Sequence, residues 1–166
     1  MLNGLIFILM PYLALGLLLF VTPWRFVSNR LSWSAYSTQF LERENLFWGI
    51  NPWHYGILPV LLAHFLAVLF PGPMKAFLGN QGNLIAFESL GLAFGLFALL
   101  GCLLLLLRRA TKPILKQVTY APDWILLLLL AAQSLTGVYV ATFMNWGSEW
   151  ALYTAVPYLW SLATFT

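Results

Sequence analysis

The stretch NPWHYGILPVLLAHFLAV, residues 51–68, decides how the chain is organised, because a run of membrane-spanning character carries two histidines. It has no charged residue, and a hydrocarbon core of roughly 30 Å needs about 20 such residues in a helix. His54 and His64 are the only histidines of the chain and lie ten positions apart. An ionisable side chain inside a membrane span is costly and therefore marks a candidate functional site.

The composition of the whole chain is that of a membrane protein. Of its 166 residues, 61% are hydrophobic and only 8% are charged, and the mean hydropathy is +0.84. Four segments have the length and composition of membrane spans, and they cover residues 3–24, 51–70, 85–107 and 123–144. No basic residue precedes the first segment, so it is interpreted as a retained helix and not as a signal peptide. The sequence therefore predicts a single all-α integral membrane domain over residues 1–166.

The distribution of basic residues predicts the orientation in the membrane. Seven of the eight Lys and Arg residues lie in the first and third loops, residues 24–48 and 108–122. Basic residues in short loops are retained on the cytoplasmic side, so the N-terminus is expected outside. The net charge of +3 then reflects membrane topology, and no nucleic-acid partner is expected. Residues 150–166 are rich in Trp and Tyr and interrupted by Pro157, which predicts a segment along the outer interface.

Three interpretations of the two histidines are open. Each imidazole could form a hydrogen bond with a neighbouring helix. The pair could belong to a proton relay, for which Glu88 and Asp123 are the candidate carboxylates near the ends of spans. Alternatively, each could be an axial ligand of a haem, whose porphyrin suits apolar surroundings.

The spacing of the histidines favours haem ligation. Ten residues of α-helix advance about 15 Å and end about 80° short of three full turns. His54 and His64 would therefore lie at different depths on neighbouring sides of one helix, His54 nearer the cytoplasm. Two haems held in this way would carry electrons across the membrane. Neither haem has a second axial histidine within this sequence.

Small residues beside the histidines agree with this interpretation. Gly56 would leave space for a flat macrocycle at His54, and Ala63 would leave less space at His64. Ordinary close packing between helices would explain both small residues equally well.

The shape of the second span can also be predicted. Pro59 removes a helical hydrogen bond between the histidines and should bend the span. Asn51 and Pro52 have the pattern of an N-cap followed by a first-turn proline, so the helix is expected to begin there. Cys102, the single cysteine, excludes an intrachain disulfide and is expected to be a small core residue.

The stretches NPWHYGIL and AHFLAV closely resemble the second transmembrane helix of the gamma subunit of respiratory nitrate reductase. That family is a quinol-oxidising dihaem cytochrome b. The resemblance includes PYLALG at residues 11–16 and STQFLERE at residues 37–44, and it continues through the third loop to Asp123, Gln133 and Gly137. It covers nearly the whole chain.

The resemblance implies that His54 ligates a haem near the cytoplasm and that His64 ligates an outer haem. Both counter-ligands would lie on a fifth transmembrane helix, for which residues 1–166 contain no counterpart. It also implies quinol as the substrate, together with iron–sulfur and molybdenum subunits on the cytoplasmic face. Such a complex would lie in the cytoplasmic (inner) membrane of a bacterium or archaeon, surrounded by lipid.

Two residues depart from the family pattern. The family has glycine where this chain has Ala63, and its loop lysine implicated in quinol binding does not correspond in position to Lys75. The resemblance therefore implies a quinol site but does not assign its residues. Glu88 is a candidate proton acceptor, and an interfacial carboxylate without that role is the alternative.

The leading hypothesis from the sequence is a cytochrome b subunit that oxidises quinol and delivers electrons to a cytoplasmic nitrate reductase. One alternative is a haem-free membrane anchor of such a complex. The other is a cytochrome b that serves a related sulfur or heterodisulfide reductase, because a membrane subunit reveals little about the terminal acceptor.

Overall fold

The computed structural model describes residues 2–28, 44–144 and 147–165, and every regular element in these ranges is a helix. We name the helices in chain order: α1 (Leu2–Ser28), α2 (Glu44–Leu69), α3 (Pro71–Leu78), α4 (Gln81–Thr111), α5 (Pro113–Val118), α6 (Ala121–Phe143) and α7 (residues 147–164). Arg30, Arg43 and most of the STQFLERE motif lie outside the described residues.

Four of these helices have the length and apolar character needed to cross a membrane. They are α1 with 27 residues, the 24-residue Leu46–Leu69 part of α2, α4 with 31 residues and α6 with 23. The prediction of an all-α membrane protein with four transmembrane helices is therefore confirmed. The orientation of the helices remains a prediction, as does the lack of a counterpart to the family's fifth helix within residues 1–166.

The chain divides into two units, residues 1–37 and residues 38–166. The first unit contains α1, in which the wider π-helical turns Leu5–Leu9 and Leu17–Val21 alternate with α-helix. The second unit contains the other six helices. Within it, α4 packs against α2 on one side and α6 on another.

Small residues allow α2 and α4 to approach closely as antiparallel neighbours. A Cβ atom at Gly56 would meet the backbone of Ala98 and lie 2.6 Å from the carbonyl oxygen of Phe94. A Cβ atom at Gly101 would meet the backbone of Trp53. Such distances leave no room for a methyl group, so glycine sets the separation of the two helices.

The remaining buried contacts of α4 agree with the sequence. Cys102 is 1% exposed, and its Sγ lies 3.6 Å from the carbonyl oxygen of Leu127 in α6. A thiol is a weak donor that packs as a small apolar group. The prediction that Cys102 is a small core residue is confirmed.

The start of α2 differs from the prediction. The helix begins at Glu44, seven residues before the expected N-cap at Asn51, so Pro52 lies inside the helix together with Pro59. The N-cap prediction at Asn51 is therefore wrong. A proline leaves the carbonyl four residues earlier without its helical partner, and membrane helices tolerate this where neighbouring groups or packing compensate. Pro52 is buried. The bend at Pro59 stays a prediction.

The connection after α2 is largely helical, although it is rich in glycine and proline. Pro71–Leu78 forms α3, and only Gly79 and Asn80 separate it from α4. The side-chain oxygen of Asn80 accepts hydrogen bonds from the backbone nitrogens of Gly82 at 2.9 Å and Asn83 at 3.3 Å. Asn80 is therefore the N-cap of α4.

The C-terminal segment is also helical. It consists of Gly147–Trp150, a π-helical part Ala151–Ala155 and Val156–Thr164, which follow one another without interruption. The expectation that Pro157 interrupts this segment is wrong. Pro157 lies inside this continuous helix, directly after the π-helical part, so a carbonyl of the preceding turn lacks its helical N–H partner.

Candidate functional site

Both candidate ligands lie on α2, with exposed side chains. Their ten-residue separation corresponds to about 15 Å along the helix axis. Below, we call the part of the second unit that contains the start of α2 the His54 end, and the part that contains the end of α2 the His64 end. Since both side chains are exposed on the second unit, each histidine is accessible to a further group.

The two imidazoles are oriented in the same way. Nδ1 of His54 donates a hydrogen bond to the carbonyl oxygen of Ile50 at 2.9 Å, and Nδ1 of His64 donates to that of Val60 at 2.7 Å. A carbonyl oxygen only accepts, so Nδ1 carries the proton in both rings. In a neutral imidazole, Nε2 then retains its lone pair.

This arrangement fits haem ligation. A metal-bound histidine typically donates its other ring N–H to a carbonyl or carboxylate, which fixes the tautomer and the direction of the ring. Both histidines satisfy this condition with carbonyls of their own helix, four residues earlier. His54 and His64 can therefore each offer Nε2 to an iron atom. Their assignment as axial ligands stays a prediction.

Gly56 lies on a different side of α2 from His54. It is buried at the contact with Phe94 and Ala98 of α4, and two residues of helix turn the chain by about 200°. Close helix packing, which the sequence offered as one explanation of Gly56, is thus what the structure shows there. A role of Gly56 beside a haem stays a prediction. Ala63, beside His64, is half-buried.

The carboxylates considered for a proton relay lie in different surroundings. Asp123 forms an ion pair with Arg109, with 3.3 Å between Oδ2 and Nη1, and the same oxygen accepts the backbone N–H of Tyr120 at 3.2 Å. Asp123 therefore joins the end of α4 to the start of α6. Glu88 is exposed on α4. Among the described residues, no carboxylate forms an ion pair with either histidine.

Basic residues gather at the His54 end. Helix α4 continues to Thr111, so Arg108 and Arg109 belong to its last turn and not to the predicted loop. Arg108 is 4% exposed. A cavity of about 280 Å³ at this end is lined by Trp48, Leu104, Leu107, Arg108, Thr111 and Lys112.

The His64 end contains an apolar cluster that joins three parts of the chain. Its buried members are Ala67 of α2, Leu78 of α3, and Leu152 and Val156 of α7. The ammonium group of Lys75 lies 4.4 Å from the centroid of the Tyr153 ring, a cation–π contact. Lys75 thus interacts with α7.

Trp160 is the residue near the site that sequence reasoning missed. Its Nε1 donates a 2.9 Å hydrogen bond to the carbonyl oxygen of Val68, 92 positions earlier in the chain and four residues after His64. The aromatic composition of residues 150–166 indicated an interfacial segment. No local pattern, however, connects Trp160 with the end of α2.

The fold and the site together define a multi-pass membrane protein that presents two imidazoles from one transmembrane helix. A family profile described as "Nitrate reductase gamma subunit" matches residues 3–166. The chain therefore belongs to the nitrate reductase gamma subunit family, and the resemblance found in the sequence is confirmed.

Curated relatives agree with the family assignment. The chain is 32% identical over 144 residues to the "Respiratory nitrate reductase 1 gamma chain" of Escherichia coli (strain K12), covering 86% of this chain and 64% of the relative. It is 30% identical over 143 residues to the "Nitrate reductase gamma chain" of Bacillus subtilis (strain 168), covering 85% of this chain and 64% of the relative.

A more distant match is the "Nitrate reductase-like protein NarX" of Mycobacterium tuberculosis (strain ATCC 25618 / H37Rv). It is 25% identical over 140 residues, which cover 83% of this chain and 22% of that protein. The chain thus spans slightly less than two thirds of the length of the gamma chains named above.

Proposed function

We propose that this protein is the haem-binding membrane subunit of a respiratory nitrate reductase that oxidises quinol in a bacterial or archaeal cytoplasmic membrane. The observation that carries the proposal is the matched geometry of the two imidazoles. Each ring donates Nδ1–H to a carbonyl of its own helix and keeps Nε2 available on an exposed surface. Membership of the gamma subunit family supports it.

His54 and His64 would each hold one of two b-type haems. Bound haem supplies reversible one-electron transfer, which connects a two-electron quinol to one-electron carriers. The residues of this chain hold and orient the iron ligands, and the apolar spans exclude water. Residues other than these two histidines would complete the binding of each haem.

The direction of transfer follows from the proposed orientation. His64 lies on the outer side, where quinol is oxidised, and His54 lies on the cytoplasmic side. The basic residues of α4 and α5 then face the cytoplasm, as the positive-inside rule requires. In this orientation, Arg108, Arg109, Lys112 and Lys116 lie close to the iron–sulfur and molybdenum subunits, the proposed electron acceptors.

The first test is a reduced-minus-oxidised absorption spectrum of the complex purified from native membranes, with the subunit in its natural length. We expect b-type absorbance from two haems. A complex without b-type absorbance would refute the proposal and favour a haem-free anchor. A complex with both haems but with activity only toward a sulfur or heterodisulfide acceptor would refute the nitrate assignment.

The second test assigns the ligands. His54→Gln and His64→Gln should each remove one haem and leave the other, because each imidazole serves a different iron. Thr142→Val is a matched control, since the Thr142 hydroxyl only donates to carbonyls of its own helix in α6. It should retain both haems. Retention of two haems in either histidine variant would show that its ligand assignment is wrong.

A further inference from the structure

Trp160 forms a hydrogen bond with the end of α2, which follows His64 in the chain. Helix α2 ends at Leu69, and the last carbonyls of a helix have no partner within it. Phe70 leaves the helix with φ −128° and ψ 60°, which turns the chain toward α3. The indole N–H of Trp160 donates to the carbonyl oxygen of Val68, one of the carbonyls in this last turn.

The bonded carbonyl is close to the candidate ligand. Val68 follows His64 by four residues, so the two lie on one face of α2, about one turn apart. The His64 ring in turn donates to the carbonyl of Val60, one turn earlier. In the chain, His64 therefore lies between the turn that its own ring bonds and the turn in which Trp160 bonds Val68.

The contact of Trp160 does not stand alone. Leu152 and Val156 of α7 belong to the same buried apolar cluster as Ala67, the residue directly before Val68, and the Lys75 ammonium group lies over the Tyr153 ring. Helix α7 is thus attached to the end of α2 by an indole hydrogen bond and by apolar packing. We define this attachment, formed by Trp160, Leu152 and Val156 on α2, as the α7 junction.

We propose that the α7 junction, through Trp160, fixes the direction in which His64 presents Nε2, so that Trp160 is a positioning residue for the outer haem. The inference rests on the proposed function, in which His64 is an axial ligand. Without the junction, the last turn of α2 would keep unpaired carbonyls and would fray, because helix ends open first. His54 lies near the other end of the membrane span, so fraying of the last turn should not change the direction of its ring.

The test uses Trp160→Phe in the complete membrane complex, since phenylalanine keeps an aromatic ring but lacks the N–H. The reduced fraction of each haem is measured as a function of the applied potential. The electron paramagnetic resonance lines of both haems, which depend on imidazole orientation, are also recorded. The lines lost in His64→Gln identify the outer haem. Tyr153→Phe is the matched control, because it removes a polar group from the same helix and keeps the ring over which Lys75 lies.

We expect Trp160→Phe to change the ratio of reduced to oxidised outer haem at a fixed potential about threefold. This corresponds to about 28 mV at 59 mV per decade for one electron. The resonance lines of the outer haem should move, whereas the inner haem, the haem content and the Tyr153→Phe complex should stay unchanged.

Two results would overturn the inference: unchanged signals from both haems in Trp160→Phe, or equal changes in both, which would indicate general loosening of the bundle. If the Trp160→Phe complex does not assemble, Val156→Ala weakens the same junction by packing alone and should again affect the outer haem only. An unsubstituted complex without haem would instead refute the proposed function, so the two failures are distinguishable.

Discussion

Replacing Gly56 by alanine should destabilise the bundle, because the added methyl group meets the backbone of Ala98 in α4 and approaches that of Phe94. A flexible side chain could move away, but a helix backbone can yield only if α2 and α4 separate. Overpacking of this kind typically costs about 1–3 kcal/mol. Alanine also has a helix propensity about 1 kcal/mol better than that of glycine, which offsets part of this cost.

A matched control isolates the steric part of the effect. Gly91 lies in α4 with nothing within 4 Å of an added Cβ atom, so Gly91→Ala gains the propensity without a collision. The free energies of unfolding of the two variants should therefore differ by about 1–3 kcal/mol, which is about 5-fold to about 150-fold in the equilibrium constant.

The assay is equilibrium unfolding of the detergent-solubilised protein at increasing fractions of a denaturing detergent, followed by circular dichroism. Gly56→Ala should unfold at a lower fraction than the unsubstituted protein or Gly91→Ala. If the two alanine variants unfold at the same fraction of denaturing detergent, the close approach of α2 and α4 at Gly56 is refuted.

Two further predictions concern the ends of α4 and use the same unfolding assay. Asn80→Ala removes the acceptor for two backbone N–H groups and should cost about 1 kcal/mol, whereas Asn80→Ser should retain most of the cap; equal losses in both would contradict the capping role. Asp123→Asn removes the ion pair with partly exposed Arg109 and should cost no more than about 1 kcal/mol, an effect that shrinks at high salt. Asp123→Ala should cost more, because Tyr120 also loses the acceptor of its backbone N–H, and identical results for the two variants would argue against that second role.

The transmembrane helices were predictable because length and hydropathy are properties of the sequence itself. Their ends were less predictable. Asn51 and Pro52 have the pattern of a helix start, yet α2 begins at Glu44 and Pro52 is buried within it. In a membrane span, packing against a neighbouring helix outweighs one lost hydrogen bond, so a local proline signal did not mark the boundary.

The candidate site shows the same division between local and distant information. The spacing of His54 and His64 and the motif around them were sufficient to identify the helix and the family. The bond from each Nδ1 to a carbonyl four residues earlier is equally local. By contrast, the sequence could not decide whether Gly56 borders a haem or a helix, since periodicity does not say which neighbour covers a face. The contact between Trp160 and Val68 joins residues far apart in the chain, and only the tertiary fold reveals it.

The bonds that orient the imidazoles also bear on how the subunit matures. Each Nδ1–H is bonded to a carbonyl of its own helix, so the tautomer of both rings is set as soon as α2 has formed in the bilayer, whereas the proposed α7 junction acts on the direction of the His64 ring only once α7 has packed. A newly inserted polypeptide therefore needs no prosthetic group to choose the tautomer of its histidines. Loading of the proposed haems can therefore follow insertion as a late step of biogenesis, because the tautomer of each histidine is already set.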